Sequence, residues 1–229
     1  MSDLTVLEGR IGVSFTNTEL LEEAVTHRSY LNEHREYAGA HNERLEFLGD
    51  AVLELASTRF LFDTFPEKPE GELTAYRAAL VNTVSLAESA QALHVGEHLR
   101  LSKGEARDTG RARQIILANA FEATIGAIYL DQGYEAADAF IGRTILVKLD
   151  ALIAKGAHQD AKSRFQEFAQ EKRGVTPSYK VLAEEGPDHA KRFTVGVYLG
   201  VTEVARGEGP AKQEAEQVAA QNALAESGW

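Results

Sequence analysis

Four carboxylates fall at intervals of three and four residues in the stretch NERLEFLGDAVLEL: Glu43, Glu46, Asp50 and Glu54. On an α-helix those intervals place all four on one face. Like charges so spaced repel by a few tenths of a kcal/mol per exposed pair, and burying one without a partner costs far more. Two readings answer the conflict. The face is a solvated acidic stripe, or it serves a hard cation such as magnesium, which takes carboxylate and water oxygens. Gly49, inside the same stretch, costs about 1 kcal/mol against Ala in a helix, which points to a close approach at that position. A second stretch, ILANAFEATIGAIYL, carries Asn119 and Glu122, three apart in an otherwise apolar run. That lone acid wants a partner: an Arg or a backbone group, or a cation shared with Glu46 and Asp50.

These residues need helices to position them, and the first two-thirds of the chain supplies helical periodicity. Leu20, Leu21, Ala24 and Val25 follow Thr18, which suits an N-cap. Residues 42–65, Leu73–Leu93 and Ala112–Leu130 continue the pattern, and strand-like alternation is nearly absent before residue 175. An all-α domain over 1–153 and a linker over 154–160, where Gly156 leads into polar residues, are expected. Beyond it Ser163–Lys172 reads as a helix, and Ser178–Glu185, Arg192–Leu199 and Thr202–Gly207 as strands. Gly209 and Pro210 stop the sheet before a helix over Lys212–Glu226. Residues 161–229 thus form a small α+β domain of order α-β-β-β-α.

Composition bounds the function. The chain has 229 residues, 44% hydrophobic and 26% charged, an ordinary globular mixture. With 24 Lys and Arg against 35 Asp and Glu, the net charge is −11, which excludes a uniformly basic nucleic-acid binder but not a local patch. Residues 1–160 hold 15 basic and 25 acidic residues, a net of −10; residues 161–229 hold 9 and 10, a net of −1. The absence of Cys excludes a disulfide scaffold, a thiolate zinc site and a cysteine nucleophile. The start MSDLTVLEGRIGV does not read as a signal peptide, and no apolar run is long enough to span a membrane. A cytoplasmic location is expected, with no membrane partner and no small-molecule cofactor.

NERLEFLGDAVLEL resembles the signature of bacterial ribonuclease III. The resemblance continues through THRSY (26–30), EGELTAYRAALVN (70–82), LSKGE (101–105) and ILANAFEATIGAIYLD (116–131), and into a C-terminal half similar to a double-stranded RNA-binding domain. It implies an endonuclease that cuts double-stranded RNA with magnesium, or manganese as a substitute, leaving 5′-phosphate and 3′-hydroxyl ends with short 3′ overhangs. The implied substrates are ribosomal RNA precursors and structured messenger or small RNA. By motif position the metal residues are Glu46, Asp50, Asn119 and Glu122, with Asp50 and Glu122 holding the ion that orients the nucleophilic water. Glu43 and Glu70 match further acidic positions. Phe47 matches an aromatic that the family inserts into its partner, so a homodimer with an isologous interface is implied; core packing within its own chain is the alternative. His27, in THRSY, reads as a structural histidine.

Asn119 departs from the family's usual Asp. It keeps a ligating carbonyl oxygen and loses a charge. Natural tolerance and an engineered weakening of the site both account for it. The alternative function is a non-cleaving RNA-binding or ribosome-associated structural protein, against which stands the retention of Glu46, Asp50 and Glu122. In the second domain the resemblance implies RNA contacts from Gln166 and Gln170 on the first helix, His189 in the loop after the first strand, and Lys212 at the start of the last helix. That helix begins Ala211-Lys212-Gln213 where the family has Ser-Lys-Lys, so a shallower salt dependence is expected. Binding is also expected to depend on divalent cation, which would reverse the sign of the acidic site as phosphate arrives.

Overall fold

The computed structural model describes residues 4–154, 161–187 and 191–227. The chain divides into two compact units, Met1–His158 and Gln159–Trp229. The described part of the first is helical: α1 (Leu4–Ile11), α2 (Thr18–Ala24), α3 (Arg28–Glu33), α4 (Glu43–Thr64), α5 (Glu70–Leu80), α6 (Thr83–Ala92), α7 (Arg111–Gln132), α8 (Tyr134–Thr144) and α9 (Leu149–Ala154), with short 3₁₀ turns between some of them.

α7 is the centre of this unit. Ile116, Leu117, Ala120, Phe121, Ala123, Ile125 and Ile128 are all buried, so its apolar residues run round the helix rather than along one stripe. α4, α6, α2 and α8 pack about it. Phe121 and Phe140 are fully buried, with their rings 5.4 Å apart. Removing such a ring costs roughly 3–5 kcal/mol.

Two local expectations are corrected. The run from Leu73 to Leu93 is two helices. Asn82 is the N-cap of α6, its side chain accepting the Ser85 N–H at 3.0 Å, and the chain turns at Val81. The apolar periodicity carried across the break because both helices face the same core. The N-cap of α2 is Asn17, not Thr18; the Asn17 side chain accepts the Glu19 N–H at 3.1 Å, while Asp131 accepts the N–H groups of Thr16 and Asn17.

The second unit runs α10 (Ala161–Arg173), β1 (Pro177–Glu185), β2 (Arg192–Leu199), β3 (Thr202–Gly209) and α11 (Lys212–Ser227). The sheet is antiparallel in the order β1-β2-β3. Val197, Leu199 and Ala205 turn inward onto Phe165 and Ala169 of α10 and Ala219, Ala220 and Ala223 of α11. Small residues let α11 lie close to the sheet. A Cβ on Gly207 would come within 2.1 Å of the Ala219 nitrogen.

Candidate active site

α4 and α7 cross backbone to backbone. A Cβ on Gly49 would sit 1.8 Å from the Glu122 carbonyl oxygen, and one on Gly126 would sit 2.3 Å from the Leu45 carbonyl oxygen. No side chain fits there, which accounts for Gly49 despite its cost in a helix. The residues beside these contacts are Glu46 and Asp50 on α4 and Glu122 on α7, so the same crossing brings acids from both helices together.

The result is a pocket of about 420 Å³ lined by His27, Asn42, Glu43, Glu46, Phe47, Asp50, Asn119 and Glu122. Glu122 is half-buried, and its carboxyl is pushed up to about 7, first by burial and then by Asp50 and Glu46. Glu46 is raised for the same reasons, burial ahead of Glu43 and Asp50, and a hydrogen bond from the Asn119 amide works against the rise. Asn119 therefore acts as a donor toward Glu46 within the acidic cluster. Neither Lys nor Arg is among the lining residues. Among the described residues, no three His, Asp or Glu side chains are drawn into a ready-made coordination shell.

The other acids separate. Glu54 leaves the group and pairs with Arg77 at 3.5 Å. Glu43 stays at the rim, held by Arg28 at 3.2 Å. Glu70 accepts the Thr74 hydroxyl at 2.8 Å and lines a different cleft, about 400 Å³, with Phe62, Leu73 and Arg77. Phe47 is 81% exposed, so packing into the core of its own chain is ruled out. With Ala51, Leu55 and Phe62 it forms an exposed, largely apolar stripe along α4.

Two lining residues carry more than their sequence signal suggested. Asn42 is buried at the entry to α4. Its amide donates to the Ala24 carbonyl at 3.2 Å, and its N–H donates to the Thr26 carbonyl at 2.9 Å. His27 is the N-cap of α3, as the structural reading anticipated, and also faces the acids. Burial lowers its pKa, against the pull of Glu105 and Glu43. An Asn before a helix and a His two residues ahead of a Ser were the signals available for these roles.

In the second unit Gln166 and Gln170 are both exposed on one face of α10, and Gln170 accepts a hydrogen bond from the Thr176 hydroxyl at 3.3 Å. Lys212 opens α11, its ammonium 5.5 Å from the centre of the Phe193 ring on β2. Phe193 had no sequence signal beyond strand alternation. His189 lies outside the described residues.

Both units have counterparts among known proteins. The ribonuclease-III-like family model matches residues 17–149, and the double-stranded RNA binding motif matches residues 161–227. Ribonuclease 3 of Geobacillus sp. (strain WCH70) is 49% identical over 221 residues, spanning 95% of this chain and 88% of that protein. Ribonuclease 3 of Listeria monocytogenes serovar 1/2a is 44% identical over 227 residues, spanning 98% and 97%. The nuclease domain of ribonuclease III from Campylobacter jejuni, solved at 2.2 Å, is 39% identical with a TM-score of 0.58, covering 65% of this chain and 97% of that one. A second structure of that domain, 38% identical with the same TM-score, concerns flexibility in a region involved in dimer formation.

A helical domain with this family's pattern, joined to a domain for double-stranded RNA, defines a hydrolase that cuts RNA duplexes internally. The chain belongs to the ribonuclease III family. No helix among the described residues is long and apolar enough to cross a membrane.

Proposed function

We propose that the pocket between α4 and α7 is the cleavage site and that Glu46, Asp50 and Glu122, with the Asn119 carbonyl oxygen, hold magnesium there, or manganese in its place. The observation that carries this reading is Glu122: a half-buried carboxyl pushed up to about 7 by burial first and then by Asp50 and Glu46, with no Lys or Arg lining its pocket. A bound divalent cation supplies water activation and neutralises charge developing on the phosphate. The chain's part is to hold three carboxylates on two crossing helices, to accept protons from water through them, and to keep Glu43 at the rim by means of Arg28. The family resemblance implies products with 5′-phosphate and 3′-hydroxyl ends, which attack by water with departure of the 3′ oxygen would give. Ribosomal RNA precursors and structured messenger or small RNA in the cytoplasm are the proposed substrates.

We also propose a homodimer, with Phe47 in the interface. The stripe Phe47, Ala51, Leu55 and Phe62 is self-complementary about a two-fold axis near Leu55. Phe47 and Phe62 lie 15 residues apart, about 22 Å along a helix. Antiparallel pairing of two such stripes sets each Phe47 against the cleft that contains Phe62 and Leu73 in the other copy. The same pairing carries the Glu70 of that copy toward the rim acids. Phe47→Asp is expected to convert a dimer to a monomer in sedimentation, with duplex cleavage lost. Gln166, Gln170, His189 and Lys212 are the proposed RNA contacts of the second domain.

The test is duplex RNA incubated with the protein, with and without magnesium, and read on a gel. Cleavage only with the ion is expected. Glu122→Gln should lower the rate by at least about 10³-fold and leave RNA binding intact. A wild-type protein inert on long duplex RNA in magnesium would overturn the assignment.

A further inference from the structure

His27 is fastened more firmly than a helix cap requires. The Ser102 N–H donates to the Ser29 hydroxyl oxygen at 3.0 Å, and that hydroxyl lies 2.8 Å from His27 Nδ1. That hydroxyl still has a proton to give, and Nδ1 lies within its reach. The Ser29 backbone N–H also donates to Nδ1, at 3.3 Å. The backbone is pinned as well. The His27 N–H donates to the Arg100 carbonyl at 3.0 Å, the Arg100 N–H donates to the Val25 carbonyl at 2.8 Å, and Thr26 and Arg100 form an isolated parallel bridge.

Two donors aimed at Nδ1 leave it without a proton, so the neutral ring carries its proton on Nε2, an assignment made from the hydrogen-bond pattern. Among the described residues Nε2 has no hydrogen-bond partner, and the ring lines the acidic pocket. The groups around it are Glu105, Glu43, Arg28 and His41. This is an N–H donor held in a fixed direction in a pocket whose other side chains are mostly acceptors.

We infer that His27 is a catalytic residue of this nuclease, its Nε2–H donating to a non-bridging oxygen of the scissile phosphate. This rests on the placement of the cleavage site proposed above. A carboxylate pocket repels phosphate, and a preoriented neutral donor adds attraction where charge grows in the transition state without the cost of reorganising. A charged Lys or Arg in that place would instead neutralise the carboxylates.

The two ring nitrogens can be tested apart. His27→Asn keeps an acceptor at the Nδ1 position, where Asn is a strong cap, and deletes the Nε2–H. His27→Gln places an amide N–H near Nε2 and weakens the cap. Single-turnover cleavage of duplex RNA in magnesium is measured beside thermal melting, and RNA affinity is measured in a Glu122→Gln background so that the duplex stays intact. His27→Asn is expected to melt as the wild type does, bind RNA as tightly, and cleave on the order of 100-fold more slowly. His27→Gln is expected to melt lower yet cleave faster than His27→Asn. Wild-type turnover in His27→Asn overturns the inference, as does equal loss in both variants. If His27→Asn fails to fold, turnover in His27→Gln decides alone, near wild type in favour and at the level of Glu122→Gln against. Should Glu122→Gln itself cleave normally, the cleavage-site reading fails first, whatever His27 does.

Discussion

The two units handle charge in opposite ways. The first carries a net of −9 over residues 1–158 and gathers part of it into one pocket, where burial and neighbouring acids hold the pKa values of Glu46 and Glu122 up. The second carries −2 over residues 159–229 and settles charges on its surface in pairs such as Lys191 with Glu184 and Arg206 with Glu203. One unit stores electrostatic cost at the place where a cation is proposed to arrive. The other lies near neutrality and matches a double-stranded RNA binding motif, a class of domain that reads duplex shape. Part of the acid total thus lies at the proposed site of cutting.

The contrast can be broken first at the helix crossing. Gly49→Ala must push the Glu122 carbonyl away, and a loss of about 1–3 kcal/mol is expected from overpacking, with a lower melting temperature and cleavage reduced further than stability explains. An unchanged melting curve would mean that the crossing does not hold the acids together. A smaller effect concerns the stored cost itself. The folded-state pKa of Glu122, about 7, lies above the ordinary value of 4.5, so the folded chain holds that proton more tightly than the unfolded one. Its contribution therefore turns unfavourable as pH rises from 4.5 to about 7, and the full penalty is present above that. In chelator at pH 8, Glu122→Gln should melt a few degrees above the wild type, with the gap closing toward pH 4.5. A lower melting point for the variant at pH 8 would show that the carboxylate is not strained. The smallest effect belongs to the second unit: Lys212→Ala should weaken duplex binding severalfold and reduce the salt slope by about 1, with no dependence on RNA sequence.

Much of this was legible in the sequence, for physical reasons that differ by element. Glu46, Asp50 and Glu122 stood out because carboxylates in apolar helices are costly, while their metal role came from the family resemblance alone. Gly49 signalled a close approach, though only the structure shows that the partner is the Glu122 carbonyl. The order α-β-β-β-α followed from alternation in Arg192–Leu199 and the Gly and Pro that end the sheet. The break at Val81 and Asn82 was hidden because both flanking helices feed the same core, so periodicity did not register the turn. His27 was hidden for another reason: its role depends on Ser102, 75 residues away, and no local pattern carries that contact.

The meeting of Gly49 and Gly126 also bears on how such a site can drift over generations. The spacing of the acids is written in main-chain atoms at two positions that carry no side chain, while the chemistry is written one turn away in residues that do. The two can therefore change on separate schedules. An Asp can become Asn119 without moving a helix, and the reverse step would find the scaffold waiting. A methyl group at Gly49, by contrast, would press on the Glu122 main chain and so shift the site while leaving every acidic side chain unchanged.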